Sequence, residues 1–170
     1  MKKVILNVDT GIDDLTAIIF ACCTKNLDVA AIITTAGNIS LKQVTKNTLG
    51  VLSFIGKNEI PVFSYKCKPY SKEKFIIKGV HGKDGVGGFK FPKPNMKAQK
   101  GKNLPAFLAK LSEVIIISTA PLTPIADLIT KHPQIKTKIK KIVVQSGLLT
   151  DETYTSFNVK SDPESAKIVL

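Results

Sequence analysis

Three aspartates, Asp9, Asp13 and Asp14, fall within six positions of the stretch NVDTGIDD (residues 7–14), directly after the apolar run Val4-Ile5-Leu6. Carboxylates this close repel one another and resist ionising together, so a positive partner is expected among them. With Gly11 permitting a tight turn, the set suits a hard divalent cation such as calcium, which takes roughly six to eight oxygens from carboxylates, carbonyls and water. The plainer alternative is that Asp13 and Asp14 cap a helix and favour its dipole. That accounts for one or two of the acids, not three. The spacing is not that of an EF-hand, and no Walker A pattern occurs.

A strand end must carry these carboxylates. Residues 3–8 (KVILNV) read as a short, buried, β-branched strand, and 13–25 as a helix with an acidic first turn and a terminal lysine. Further strands are expected at 28–36, 60–64, 113–120 and 141–147. Helices are expected at 40–57, opened by Ser40, at 103–112, and at 121–132, where Pro133 stops the helix. A last helix is expected at 161–170, with Ser161 or Asp162 as its cap and Pro163 in its first turn. Residues 65–102, rich in Lys, Gly and Pro, break the alternation and read as a long loop or flap. The pattern implies one α/β domain, a mostly parallel Rossmann-like sheet with helices on both faces.

In such sheets ligands bind beyond the carboxyl ends of the strands. The residues that follow the strands here include DTGIDD, AGN (36–38), APLT (120–123) and SFN (156–158). Polar and glycine-rich groups from four distant places therefore gather on one edge. Taken singly they say less. Asn38 after Gly37 is ordinary turn chemistry, His81 in VHGKDGVGG (80–88) reads equally as a solvated loop residue, and Asn158 alone says nothing.

The 170 residues, 44 % hydrophobic and 22 % charged, suit one soluble domain with a real core. No apolar run approaches the ~20 residues of a membrane span, and the apolar start ends at Asn7, too early for a signal peptide, so a cytoplasmic protein is expected. Cys22, Cys23 and Cys67 show no metal-ligand spacing. Cys22 and Cys23 are expected to be buried thiols on a helix, in a reducing compartment. The net charge of +12 is uneven: residues 66–102 hold eleven of the 25 lysines against Glu73 and Asp84 alone. The chain contains no arginine, the residue on which base and phosphate readers usually lean. A basic polyanion-binding module is therefore the weakest reading, since a lysine loop without arginine or aromatic interleaving rarely reads nucleic acid.

Five blocks, in order, resemble the inosine-uridine preferring nucleoside hydrolases. NVDTGIDD is similar to that family's DTDPGIDD-type signature, TTAGNIS (34–40) to its AGN turn and VHGKDGVGG to its HGxDGLGG loop. STAPLTPIADLI (118–129) is similar to GPLTNIA, and SFNVKSDPESAKIVL (156–170) to EFN…DPEAA. The resemblance implies calcium-assisted hydrolysis of the N-glycosidic bond of ribonucleosides, in purine and pyrimidine salvage. It implies Asp9 as calcium ligand and base for the attacking water, Asp14 and the backbone carbonyl of Thr123 as further ligands, Asp13, Asn38 and Asn158 at the ribose, and His81 near the pocket. Asn7 stands where the family usually has Asp, Thr10 where it often has Pro, and Ser156 where it has Glu. Family chains are longer and carry a late His-Asp pair, which neither His81 nor His132 supplies. The domain is therefore expected to be incomplete at its C-terminus. Hydrolysis by this chain alone is expected to be weak or absent, with activity restored by a complementing C-terminal portion; the partners expected are that portion or further copies in a homo-oligomer. The alternative is an inactive relative that keeps metal and ribose binding.

Overall fold

A computed structural model describes residues 1–70, 79–146 and 155–170 of the chain. The sheet has six strands, all parallel, in the order β4-β3-β2-β1-β5-β6. They are β1 (Lys2–Val8), β2 (Leu27–Thr34), β3 (Val62–Ser64), β4 (Gln99–Lys100), β5 (Val114–Ser118) and β6 (Ile139–Val144). Between and after them come α1 (Ile12–Cys23), α2 (Leu41–Phe54), α3 (Leu104–Ala109), α4 (Thr123–Lys131), α5 (Phe157–Ser161) and α6 (Pro163–Val169). None of these helices is long and apolar enough to cross a membrane.

The strand pleat sorts the apolar residues into two layers. Val4, Leu6 and Val8 of β1 turn to one face and pack with Ile18 and Ala21 of α1 and with Val51 and Leu52 of α2. Ile5 turns to the other, with Leu104 and Leu108 of α3 and Leu128 of α4. A third cluster joins Ile116 of β5, Leu122 and Ile125 at the start of α4, and Ala166 of α6. Because both faces are covered, β1 is apolar from Val4 to Leu6 without alternation, as the sequence pattern predicts. β1 is central, paired with β2 on one side and β5 on the other, so the chain that leaves it enters the middle of the sheet edge.

Several expectations need correction. The sheet has six described strands where five were expected, because Gln99–Lys100, inside the segment read as loop, pairs with Phe63 and Ser64 of β3. Both its residues are polar and exposed, so they carry no apolar pattern. Residues 71–78 of that segment, and residue 147 of the expected fifth strand, lie outside the described residues. The short α5 was not foreseen. Of the two candidate caps for the last helix, Asp162 takes the role, its Oδ1 accepting from Ser165 N. Cys22 is half-buried and Cys23 is exposed, not buried as expected. The buried face of α1 is Asp14, Ile18 and Ala21, and Cys23 falls off it.

Candidate active site

The site forms where β1 gives way to α1. Asp9 immediately follows β1 and Asp14 lies in the first turn of α1, each only 1 % exposed. Between them Thr10 adopts φ +22°, a left-handed value shared by no other non-glycine among the described residues. Its Oγ1 lies 2.7 Å from Thr48 Oγ1 of α2, so that helix clamps the turn. Gly11 N donates to Asp14 Oδ2 at 3.0 Å, satisfying a free amide of the helix start. A side chain at Gly11 would displace its neighbours: a Cβ would lie 2.8 Å from Asp13 Oδ1, 2.9 Å from Asn38 Nδ2 and 2.9 Å from His81 Cε1. Three residues nominated from the sequence converge on this one glycine.

Each buried carboxylate is held from another strand end. Asp9 Oδ2 accepts from Asn38 N at 2.7 Å, and Gly37 is needed beside it because a Cβ there would collide with the same oxygen. Asp14 Oδ1 accepts from Thr119 Oγ1. Thr119 is placed by the neighbouring strand pair, since Thr119 N donates to Asn7 O at 3.0 Å. Asn7 Nδ2 in turn donates to Ser118 Oγ at 2.8 Å and to Pro121 O at 3.1 Å. Asn7 therefore staples β1 to the β5–α4 turn.

Burial, and after it the negative charge of Asp14, holds Asp9 well above the usual carboxylate range. Burial also lifts Asp14, against the pull of its bonds from Thr119 and Gly11. Two such groups do not both ionise unaided. Asp9 Oδ1 is buried with no donor bonded to it, and the Asp9 and Asp14 side chains lie close enough to share a proton; an oxygen-only donor pair of this kind fits a hard cation. Among the described residues no group of three or more His, Cys, Asp or Glu could hold a metal. Donors beyond Asp9 and Asp14 would thus be carbonyl, water or substrate oxygens. Thr123, buried at the first position of α4, donates its Oγ1 proton to Asp162 Oδ2 at 2.6 Å; the resemblance assigns the ligand role to its backbone carbonyl.

Asp13, Asn38, His81 and Asn158 all line one cavity of about 250 Å³. His81 Nδ1 accepts from Ile12 N at 3.3 Å, and its Nε2 lies 3.8 Å from Asp13 Oδ1. Asn158 Nδ2 donates to Thr119 O at 2.7 Å and to Gln145 Oε1 at 3.2 Å. With its two N–H groups so used, Asn158 has its Oδ1 left as an acceptor. Asn38 and Thr119 both line this cavity and each grips one buried aspartate, so the carboxylates lie one hydrogen bond behind its wall.

Residues 4–170 match the family described as inosine-uridine preferring nucleoside hydrolase. The chain belongs to that family. It is 35 % identical to the pyrimidine-specific ribonucleoside hydrolase RihA of Salmonella enteritidis, over 98 % of this chain and 56 % of that protein. The chain thus spans about half the length of the curated relatives it matches. Its fold superposes on a plant nucleoside hydrolase, PpNRh1, with a TM-score of 0.86 at 30 % identity, covering 99 % of this chain and 56 % of that one. A purine-preferring ribonucleoside hydrolase from Gardnerella vaginalis gives 0.88 at 29 %, covering 99 % and 57 %.

Four cavity residues, Val80, Thr119, Gln145 and Phe157, escaped the sequence reading. Thr119 and Gln145 follow β5 and β6 directly, so the strand-end rule that pointed to AGN (36–38) could have found them. Phe157, between Ser156 and Asn158, carries no signal of its own. Ser156 also lines the cavity, but its hydroxyl is spent capping α5, accepting from Val159 N and donating to Gln145 O, both at 3.4 Å. Four larger cavities, of about 520 to 770 Å³, are lined neither by the two buried acids nor by Asn38 and Thr119, which grip them. Size does not mark the candidate site; the buried acids behind its wall do.

Proposed function

We propose that this chain acts in the hydrolysis of ribonucleosides to ribose and free base. The observation that carries the reading is the meeting of Asp13, Asn38, His81 and Asn158 on one cavity backed by the buried pair Asp9 and Asp14. At about 250 Å³ the cavity is below the about 300–1,000 Å³ of pockets for drug-sized ligands, a size suited to the sugar and not to the whole nucleoside. Asp13, Asn38 and the free Oδ1 of Asn158 bind the ribose hydroxyls. Departure of the base builds positive charge on the sugar ring, which these oxygens stabilise. Asp9 takes the proton of the attacking water. Asp9, Asp14 and the Thr123 carbonyl would hold calcium, which when bound supplies a water of lowered pKa.

The named relatives differ in base preference, one pyrimidine-specific and one purine-preferring, so the proposal is limited to ribonucleosides. Completion of the site by a second polypeptide or copy belongs to the same proposal, supported by the outer edge of β6 and by exposed Val143 and Leu170. A cytoplasmic site of action fits the three free thiols. A second reading, metal and ribose binding without turnover, is favoured by the committed hydroxyl of Ser156.

The test is ribose release from inosine and uridine with calcium, paired with equilibrium dialysis of ribose. Release that falls at least ~10²-fold in Asp9→Asn supports hydrolysis. Ribose binding without release supports the second reading. Release undiminished in Asp9→Asn, or neither binding nor release, overturns both.

A further inference from the structure

We propose that the groove between α2 and residues 84–94 is a separate binding surface for single-stranded nucleic acid. It encloses about 770 Å³ and shares no lining residue with the cavity beside the aspartates, so it stands or falls independently of the nucleoside chemistry.

Its apolar wall is aromatic. Phe89 and Phe91 meet edge-on with ring centroids 4.9 Å apart, and Phe54 at the end of α2 buttresses them at 5.7 and 6.4 Å. Phe91 packs so closely on α2 that a Cβ at Gly50 would come within 2.7 Å of it. Phe54 and Phe89, by contrast, are 57 % and 51 % exposed. Two adjacent aromatic rings left in water are what a contact surface needs and a core does not.

The cations complete the pattern. Lys46, Lys90 and Lys93 line the same groove; none is in ion-pair contact among the described residues, and only Lys46 lies near enough to act on the carboxylate of Asp84. The one acid there, Asp84, has its Oδ1 turned to Val86 N and Gly88 N at 3.1 Å each. Asn47 Nδ2 fixes that loop to α2 by donating to Asp84 O at 2.8 Å. The run FKFPKP (89–94) therefore interleaves rings with lysines, the feature the sequence reading held to be missing. Ring faces on which bases stack, flanked by charges that follow a phosphate backbone, are the chemistry of sequence-tolerant single-strand binding. Lysine point charges without arginine forks fit that tolerance. A second copy of the chain is the poorer occupant, since a two-fold contact would set the lysine cluster against itself.

The experiment is fluorescence anisotropy with a labelled oligouridylate of roughly twelve nucleotides at low salt, using the full chain. Phe89→Ala is expected to weaken binding about tenfold while melting as the parent does, and Phe89→Tyr to bind as the parent. Lys90→Ala with Lys93→Ala is expected to weaken binding and flatten its salt dependence. Lys167→Ala, an equal charge loss per site on the exposed side of α6, is expected to change neither. No binding at low salt, undiminished binding by Phe89→Ala, or an equal loss in Lys167→Ala would overturn the proposal. So would ultracentrifugation showing a dimer that Phe89→Ala dissolves.

Discussion

Thr119 Oγ1, just past β5, donates its hydrogen bond to Asp14 Oδ1 in the first turn of α1, across 105 positions of sequence. Together with the bond from Asn38 N to Asp9 Oδ2, it lets the cavity wall hold both buried carboxylates in place.

Thr119→Val removes that donor at nearly constant volume and leaves Asp14 buried with one fewer partner. The variant is expected to lose on the order of 1–3 kcal/mol in urea unfolding, and Thr119→Ser to recover most of it. An unchanged midpoint for the valine variant would show that the bond contributes nothing.

Calcium is expected to raise the melting temperature of the parent chain. At a concentration one hundred times the dissociation constant the gain is about 2.7 kcal/mol, on the order of 5–10 °C for a chain of this size. Asp14→Ala removes two of the oxygens and is expected to abolish the shift. A shift of equal size in that variant would refute the metal site, whatever the activity.

Gly37→Ala places a methyl group where Asp9 Oδ2 lies. The expected result is a loss of about 1–3 kcal/mol of stability, with a weakened calcium response, because the carboxylate must move to make room. Differential scanning fluorimetry with and without calcium reads both quantities at once.

The thiols should differ in reactivity. Burial raises Cys22 to about 11 and Cys67 to about 12, while Cys23 is exposed. A chromogenic disulfide at pH 8 is therefore expected to modify Cys23 quickly and the other two slowly, with Cys22 accelerating as pH approaches 11. Since both folded values lie above the unfolded 9.0, the stability these groups contribute is complete below about pH 9 and is lost as pH rises through 11–12. Three equal rates at pH 8 would contradict the burial pattern.

The main strands and helices were legible because burial on both faces leaves uninterrupted apolar runs such as Val4-Ile5-Leu6, and because Ser40 and Asp162 are strong helix caps. β4 was not, since a strand of two exposed polar residues has no hydrophobic pattern. The acids Asp9 and Asp13 were legible as a cluster at a strand end, whereas Asn38 and Asn158 could be nominated only through the family resemblance of AGN and SFN. Thr119 and Gln145 also follow strands, but a single polar residue after a strand is too common to stand out. The exposed pair Phe54 and Phe89 was hidden for another reason: they are 35 positions apart in sequence, and only the packing of residues 84–94 on α2 brings them together.

β1 is bordered by one strand that follows it closely and by another more than a hundred residues downstream. Asp14 therefore has its hydroxyl donor only after a large loop has closed, a slow step in any chain rich in distant contacts. A cation that binds there meets a nearly finished molecule. It would slow the return to the unfolded ensemble far more than it would hasten collapse, and its presence would be felt as lifetime.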